Sequence, residues 1–334
     1  MLMQHWFPIE HDLEAAAEAL RRGDLLGWPT ETVYGLAGNA LDAETVAAIF
    51  TAKGRPTFDP LIVHAADGDA AFALTASVPK AARQLAEAFW PGPLTLVLPR
   101  RADLPDLLSA GLETLALRVP AHPVARDVLE RCGLPLAAPS ANRFGRISPT
   151  CAEHVLDELR GQPRVAGVLD AGPCPLGVES TVVGFPENGR VRVYRTGGLP
   201  LEVLRDVVPD LEVVDVRRTE DDPELARRGE QSPGMLARHY APRTPLRLLN
   251  PGEMPEQSPL LRGWLCFSEC PPVEGPVEVL SADADPAEAA TRLFACLRRL
   301  DRAGVDEIIA WTVPNGGLGR AVNDRLSRAA FPQR

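Results

Sequence analysis

Lysine is almost missing from this chain: of 35 basic residues only Lys53 and Lys80 are lysines, and the others are arginines. A Walker-type phosphate loop needs Gly-Lys-Ser/Thr, so that a lysine rises from a glycine cradle to the terminal phosphates. Here Ala52 and Pro79 precede the two lysines, and that class is excluded. Neither a Gly-x-Ser-x-Gly elbow nor a His-x-x-x-His pair occurs, which removes serine hydrolases of that type and zincins. The six cysteines are scattered; only Cys266 and Cys270 lie close together, with no histidine nearby, so neither a zinc site nor a disulfide framework is expected. No run approaches the roughly 18 apolar residues of a membrane span. The segment Met1–His11 is too polar for a signal peptide, and a cytoplasmic location is the expectation. Aromatic residues make up 5 % of the chain, no Lys/Arg-rich run occurs and the net charge is −10, which argues against a broad nucleic-acid or anionic-membrane surface.

What is present is ordinary globular composition, 45 % hydrophobic and 24 % charged, over 334 residues, enough for two domains. Apolar spacing at Leu13, Ala16, Ala17 and Leu20 predicts an opening helix, and Leu25–Trp28 a buried strand. Asp42 is a candidate N-cap for a helix ending near Lys53-Gly54. Strands are predicted at 61–64, 94–98, 115–119, 134–138 and 165–169, and helices at 80–89, 123–131 and 151–160. Glu187-Asn188-Gly189-Arg190 is a hairpin signal between 181–184 and 191–194. These patterns predict a mixed α/β domain over 1–216. Residues 217–245, rich in charge, Pro and Gly, read as a linker; strands and helices alternating over 246–334 suggest a small parallel, Rossmann-like domain.

The candidate chemistry sits in loops at strand ends. Lys53-Gly54-Arg55-Pro56 places two cations around a glycine, as dipolar decoration of a helix end or as an anion site. Pro139-Ser140-Ala141-Asn142, Ser148-Pro149-Thr150 and Gly177-Val178-Glu179-Ser180-Thr181 gather small hydroxyl and amide groups, which serve equally as turns and caps or as the lining of a phosphate or carboxylate pocket. His64 ends an apolar strand and reads either as a core histidine or as a pocket wall. Lys80, at a helix start, reads as a surface residue. The Gly317-Leu318-Gly319 turn has Val322 where a dinucleotide fingerprint needs its third glycine, and reads as helix–sheet packing.

The run Pro29-Thr30-Glu31-Thr32-Val33-Tyr34-Gly35-Leu36, with Lys53-Gly54-Arg55-Pro56, His64, Trp90-Pro91-Gly92-Pro93, Leu117-Arg118-Val119-Pro120, Pro139–Asn142 and Ser148–Thr150, resembles the YrdC-type domain of the threonylcarbamoyl-AMP synthase family. Gly177–Thr181, Arg195-Thr196-Gly197 and Ser232-Pro233-Gly234-Met235 with His239-Tyr240-Ala241-Pro242 resemble its long, two-domain form. The resemblance implies a YrdC-like twisted mixed sheet with a deep central cavity. It also implies a reaction of L-threonine, bicarbonate or CO2 and ATP to give threonylcarbamoyl-adenylate and pyrophosphate. That product feeds N6-threonylcarbamoyladenosine formation at position 37 of tRNAs reading ANN codons, with the transfer left to a separate downstream complex.

Threonine carboxylate, carbamate and triphosphate must be held close together in such a reaction, so charge stabilisation is the demand on the protein. By resemblance, Lys53 and Arg55 are the catalytic cations. Threonine binding falls to Thr30, Arg55, His64, Arg118 and Ser180, and ATP binding to Lys53, Thr57, Thr114, Ser140, Asn142, Ser148, Arg195 and Tyr240. Lys53, Arg55, Arg118 and Arg195 are expected to make one cavity strongly positive inside an acidic protein. His239 and Tyr240 would form a lid excluding water from the mixed anhydride. No protein-held metal is expected, and Mg2+ would arrive on ATP. The rival readings are an RNA-binding module, for which any tRNA contact is expected to be weak, and a carbamoyl-transfer maturation factor, whose added zinc-finger and acylphosphatase segments are not visible.

Overall fold

The computed structural model describes residues 5–8, 13–186, 190–214 and 239–331. Eleven strands among them make one mixed sheet: β1 (His5–Pro8), β2 (Leu25–Trp28), β3 (Gly35–Asn39), β4 (Ile62–His64), β5 (Leu94–Pro99), β6 (Thr114–Arg118), β7 (Leu136–Ala137), β8 (Val165–Asp170), β9 (Thr181–Gly184), β10 (Val191–Arg195) and β11 (Leu211–Val213), in the order β1-β8-β2-β3-β7-β4-β6-β5-β9-β10-β11. Helices α1 (Leu13–Arg21), α2 (Ala43–Lys53), α3 (Gly68–Phe72), α4 (Lys80–Phe89), α5 (Pro123–Cys132), α6 (Ala152–Leu159) and α7 (Leu201–Val207) surround it. A separate parallel sheet, ordered β12-β15-β13-β14, is built from β12 (Leu246–Leu249), β13 (Arg262–Cys266), β14 (Val277–Val279) and β15 (Glu307–Trp311), with α8 (Pro286–Arg302) and α9 (Gly319–Ala329).

Local chemistry fixes the elements that matter for the site. The Asp42 carboxylate accepts the backbone N–H groups of Glu44 and Thr45 and starts α2, and Gly54, at φ 61°, ends it in the left-handed conformation that glycine adopts without steric cost. That stop delivers Lys53 and Arg55 to one loop. The period-two alternation of β4 sends Val63 into the main apolar core, while Ile62 joins a second cluster with Val97, Ala116 and Val182 on the opposite face. Parallel pairing of β4 with β6 sets His64 opposite Arg118 and Ile62 opposite Ala116. The hairpin signal is matched by antiparallel β9 and β10; its tip, 187–189, lies outside the described residues, as do residues 215–238 of the linker with Ser232–Met235.

In the C-terminal domain α8 and α9 both lie on one face of the sheet, over Leu246, Leu265, Ile308 and Ala310. Leu249, Trp264, Cys266, Ile309 and Trp311 cluster on the other, where Trp264 and Trp311 stack with ring centroids 5.9 Å apart.

Two expectations are corrected, and one strand is added that the sequence left unread. Cys266 and Cys270 are joined as a disulfide, because the chain turns back directly after β13 and leaves their Cα atoms 5.4 Å apart. The first residues contribute β1, parallel to β8, where polarity and shortness hid a strand. The strand predicted at 134–138 is only the two residues of β7. Lys80 starts α4 and is exposed, as its sequence context suggested. No described helix is long and apolar enough to cross a membrane.

Candidate active site

One cavity is lined by residues from most of the motif groups above: Thr30, Thr32 and Val33 from the loop between β2 and β3; Gly35 of β3; Arg55; Ile62 and His64 of β4; Arg118 of β6; Ala138–Ser140; Glu179 and Ser180; Arg195; and His239 with Tyr240. These segments are far apart in sequence and meet because β3, β7, β4, β6, β5, β9 and β10 lie side by side. Hydroxyl groups are already organised there. Thr30 Oγ1 lies 2.8 Å from Thr32 Oγ1 and donates to the Val33 carbonyl at 2.6 Å, and Thr95 Oγ1 lies 2.7 Å from Ser180 Oγ.

Each cavity arginine comes with its own acceptors. Arg55 donates to the carbonyls of Asp59 and Pro60 and is 2.9 Å from the Asp59 carboxylate. Arg118 donates through Nε to the Gly92 carbonyl and through Nη1 to Thr32 Oγ1, while its Nη2 lies 2.7 Å from Glu31 Oε1. That last contact is a close, buried ion pair. Arg195 donates to the Ser180 carbonyl through Nε at 3.1 Å and through Nη2 at 3.0 Å, and to Ser180 Oγ at 3.2 Å. Glu179 accepts from Ser148 Oγ on one oxygen and from Arg325 Nε, on α9, at 2.7 Å on the other.

Two of the four expected cations carry a carboxylate of their own: buried guanidinium groups require compensation, and Asp59 supplies it for Arg55 and Glu31 for Arg118, whereas Glu179 is engaged by Arg325. Burial alone would raise the Glu31 and Glu179 carboxyls, but Arg118 beside the first, and Arg325 followed by Arg195 beside the second, hold both below the ordinary carboxylate range. Burial, followed by the Arg118 charge, lowers His64 well below the ordinary histidine value, so its ring is neutral at pH 7. His64 packs edge-on against Trp28 with centroids 5.6 Å apart, and its Nδ1 has no hydrogen-bond partner.

Not every residue singled out in the sequence reaches this cavity. Lys53 is buried beside it, its Nζ bonded to the Ser140 and Asn142 carbonyls. Asn142 holds the neighbouring loop by donating to the carbonyls of Arg143 and Arg146, with Oδ1 unpartnered. Ser148 is wholly buried on Glu179. Thr57 is exposed, and Thr114 lies at the other end of β6 from Arg118, opposite Pro99. The sequence reasoning missed Glu31, Asp59 and Glu179, although each stands inside or next to a quoted motif. A buried arginine asks for a nearby carboxylate, which was the available signal.

His239 and Tyr240 are buried in the cavity wall, with centroids 4.1 Å apart. Tyr240 takes φ 64°, uncommon for a residue with a side chain, and is fixed between the Phe294 ring, 5.7 Å away, and the Arg325 guanidinium, 4.9 Å from its centroid. Ala241 N–H donates to the Gly145 carbonyl, which anchors this segment on the domain of the eleven-stranded sheet. Tyr240 Oη and His239 Nδ1 have no hydrogen-bond partner. Among the described residues no group of three or more His, Cys, Asp or Glu side chains could hold a metal ion.

Residues 18–197 match the family model described as Telomere recombination, and residues 200–331 match the one described as Threonylcarbamoyl-AMP synthase, C-terminal domain. Threonylcarbamoyl-AMP synthase of Pyrococcus abyssi is 39 % identical over 332 residues, covering 96 % of this chain and 94 % of the relative. The Bacillus subtilis protein of the same name is 40 % identical, covering 94 % and 92 %. The crystal structure of Pyrococcus abyssi Sua5 complexed with L-threonine superimposes with a TM-score of 0.85 at 37 % identity, over 95 % of this chain and 94 % of that one.

Proposed function

We infer the reaction from one premise: the chain belongs to the threonylcarbamoyl-AMP synthase family, matched in both of its domains and by relatives of nearly equal length. It is an enzyme that makes L-threonylcarbamoyl-adenylate and pyrophosphate from L-threonine, bicarbonate or CO2 and ATP, a transferase of tRNA modification. The uncharged threonine amine adds to CO2 and loses a proton, giving a carbamate; a carbamate oxygen then attacks the α-phosphorus of ATP, and the bond to pyrophosphate breaks. The observation that carries this reading is the convergence of Arg55, Arg118 and Arg195 from three separate segments on one cavity with prearranged hydroxyls.

In this proposal the threonine carboxylate lies on Arg118, with Thr30, His64 and Ser180 around the amino acid. A neutral His64 suits a wall that must not compete for the carboxylate. Arg195, Ser140 and Tyr240 serve the nucleotide. Arg55, together with Lys53 behind the Ser140–Asn142 loop, stabilises the negative charge that grows as pyrophosphate leaves; preorganised donors of this kind are each worth about 10²–10³ in rate. Planar guanidinium groups suit a bidentate carboxylate, whereas Lys53, its ammonium held by the Ser140 and Asn142 carbonyls, acts on the phosphates through its charge and the loop it secures. Thr57, Asn142 and Ser148 shape the loops around these groups, Thr114 is the least supported ATP contact, and His239 with Tyr240 form the lid. Mg2+ is proposed to arrive bound to ATP, held through phosphate oxygens and water. Delivery of the product to a downstream transfer complex, a weak tRNA contact and a cytoplasmic location complete the proposal.

The test is pyrophosphate release from ATP with labelled bicarbonate and each of several amino acids. Strict dependence on both L-threonine and bicarbonate is expected. Equal release with serine, or without bicarbonate, would overturn the substrate assignment.

A further inference from the structure

The most deeply buried ion pair shared by the two domains does not look like simple docking. Arg325 on α9 is fully buried; it donates through Nε to Glu179 Oε2 at 2.7 Å and through Nη1 to the Thr196 carbonyl at 2.9 Å, and its guanidinium lies 4.9 Å from the Tyr240 ring centroid. One side chain of the C-terminal domain thus touches the Glu179-Ser180 loop, the Arg195-Thr196 turn and the lid. Glu179 itself lines the cavity, with its other oxygen on Ser148. These segments have no slack. A Cβ on Gly197 would lie 2.2 Å from the Glu179 carbonyl oxygen, and one on Gly177 would lie 2.5 Å from the Thr291 Cα of α8.

We propose that Arg325 is a positioning residue of the catalytic cavity, supplied by the C-terminal domain: it engages the Glu179 carboxylate so that Glu179 stays turned onto Ser148 and does not draw Arg195 away from an anionic substrate. The same guanidinium supports the Tyr240 face, so the charge arrangement and the lid depend on one residue. Without Arg325 the buried carboxylate would be left with Arg195 as the other cation whose charge it feels, and a substrate phosphate would have to compete with Glu179 for it. Lysine could not replace Arg325, since a single ammonium cannot hold Glu179 and the Thr196 carbonyl in the same fork. The inference rests on the reaction proposed above, in which Arg195 serves the nucleotide.

The experiment measures calorimetric binding of a non-hydrolysable ATP analogue to full-length wild type, Arg325→Gln, Glu179→Gln/Arg325→Gln and Arg320→Gln. Arg320 makes a half-exposed ion pair with Glu202, also between the two domains and away from the cavity, and controls for docking alone. Arg325→Gln is expected to weaken binding at least about tenfold, because it leaves a buried carboxylate uncompensated. The double variant should recover most of that loss, and Arg320→Gln should bind as wild type does. A purely structural clamp makes the opposite forecast, since the double variant lacks both partners and would bind no better than Arg325→Gln. That result, or undiminished binding by Arg325→Gln, overturns the proposal. Thermal melts of all four proteins separate folding defects from these outcomes. Failure of the reaction reading appears separately, as wild type lacking threonine- and bicarbonate-dependent pyrophosphate release.

Discussion

Both domains have apolar cores, and they differ in what else they bury. Around its cavity the catalytic domain hides Thr30, Glu31, Thr32, Arg55, Asp59, His64, Arg118 and Arg195, each desolvated and each needing a partner. The C-terminal domain is filled by Leu293, Phe294, Leu297, Ile308, Val322 and Leu326, and three of its buried charged residues, Arg298, Arg325 and Arg328, stand on the two helices that pack on its sheet. Two of these, Arg298 and Arg325, reach the catalytic domain, at Glu158 and Glu179. Folding free energy in the second domain comes from apolar burial at about 25 cal/mol per Å². In the first, polar burial costs stability unless every group is matched. A polar interior retained at such cost is what the proposed site demands, and an apolar one suits a scaffold whose contribution is made at its boundary.

The contrast can be broken most forcefully at Arg118. Arg118→Ala leaves Glu31 buried without its cation, and a loss of about 3–5 kcal/mol is expected in urea unfolding, together with loss of threonine-dependent pyrophosphate release. A stability loss below 1 kcal/mol would mean that the cavity is wetter than its packing indicates. The next effect concerns pH. Glu31 and Glu179 titrate below their ordinary value in the folded state, so the unfolded chain binds more protons as pH falls toward and below about 4.3. The stability they contribute is complete above that pH and is lost on descending through the folded values. Glu31→Gln should therefore flatten the acid limb of the stability curve by up to about 1.4 kcal/mol per pH unit. An unchanged slope would show that Glu31 is not held low by Arg118.

Much of the fold was legible in the sequence because its signals were local. The Asp42 cap, the Gly54 stop, the apolar run of β4 and the hairpin between β9 and β10 depend on a few neighbouring residues. So did much of the cavity: Thr30, Arg55, His64, Arg118, Ser140, Ser180 and Arg195 were all picked from short motifs and line it together. Partnership was not legible. Asp59 is four residues from Arg55, yet the helix stop at Gly54 does not say where the following loop carries the carboxylate, and Glu179 finds Arg325 across 146 residues. Lys53 shows the same limit, since its motif announced a cation but not that its ammonium would be spent on two backbone carbonyls. The two-residue β7 and the disulfide after β13 likewise depend on tertiary packing rather than on local pattern.

Smaller effects sharpen the comparison from the scaffold side. Ile309 is fully buried on the face of the C-terminal sheet turned away from α8 and α9. Ile309→Val should cost about 0.5–1.5 kcal/mol in chemical unfolding of the full chain and leave pyrophosphate release unchanged. A fall in release would show that this core is coupled to the cavity.

The smallest effect is expected from a pair that resembles a large one. Arg298 and Arg302 lie one turn apart on α8 and reach adjacent carboxylates of α6, Glu158 and Asp157. The first pair is 7 % and 11 % exposed at its side chains and the second 53 % and 40 %, so solvent screens the second and leaves both of its ions hydrated when separated. Arg302→Ala should therefore change stability by no more than about 1 kcal/mol, an effect that diminishes with added salt. Denaturant midpoints in low and high salt give the measurement. If Arg302→Ala proved as costly as losing a buried ion pair, chemistry and spacing alone would set the worth of these bridges, and burial, the property that separates the two domains, would not.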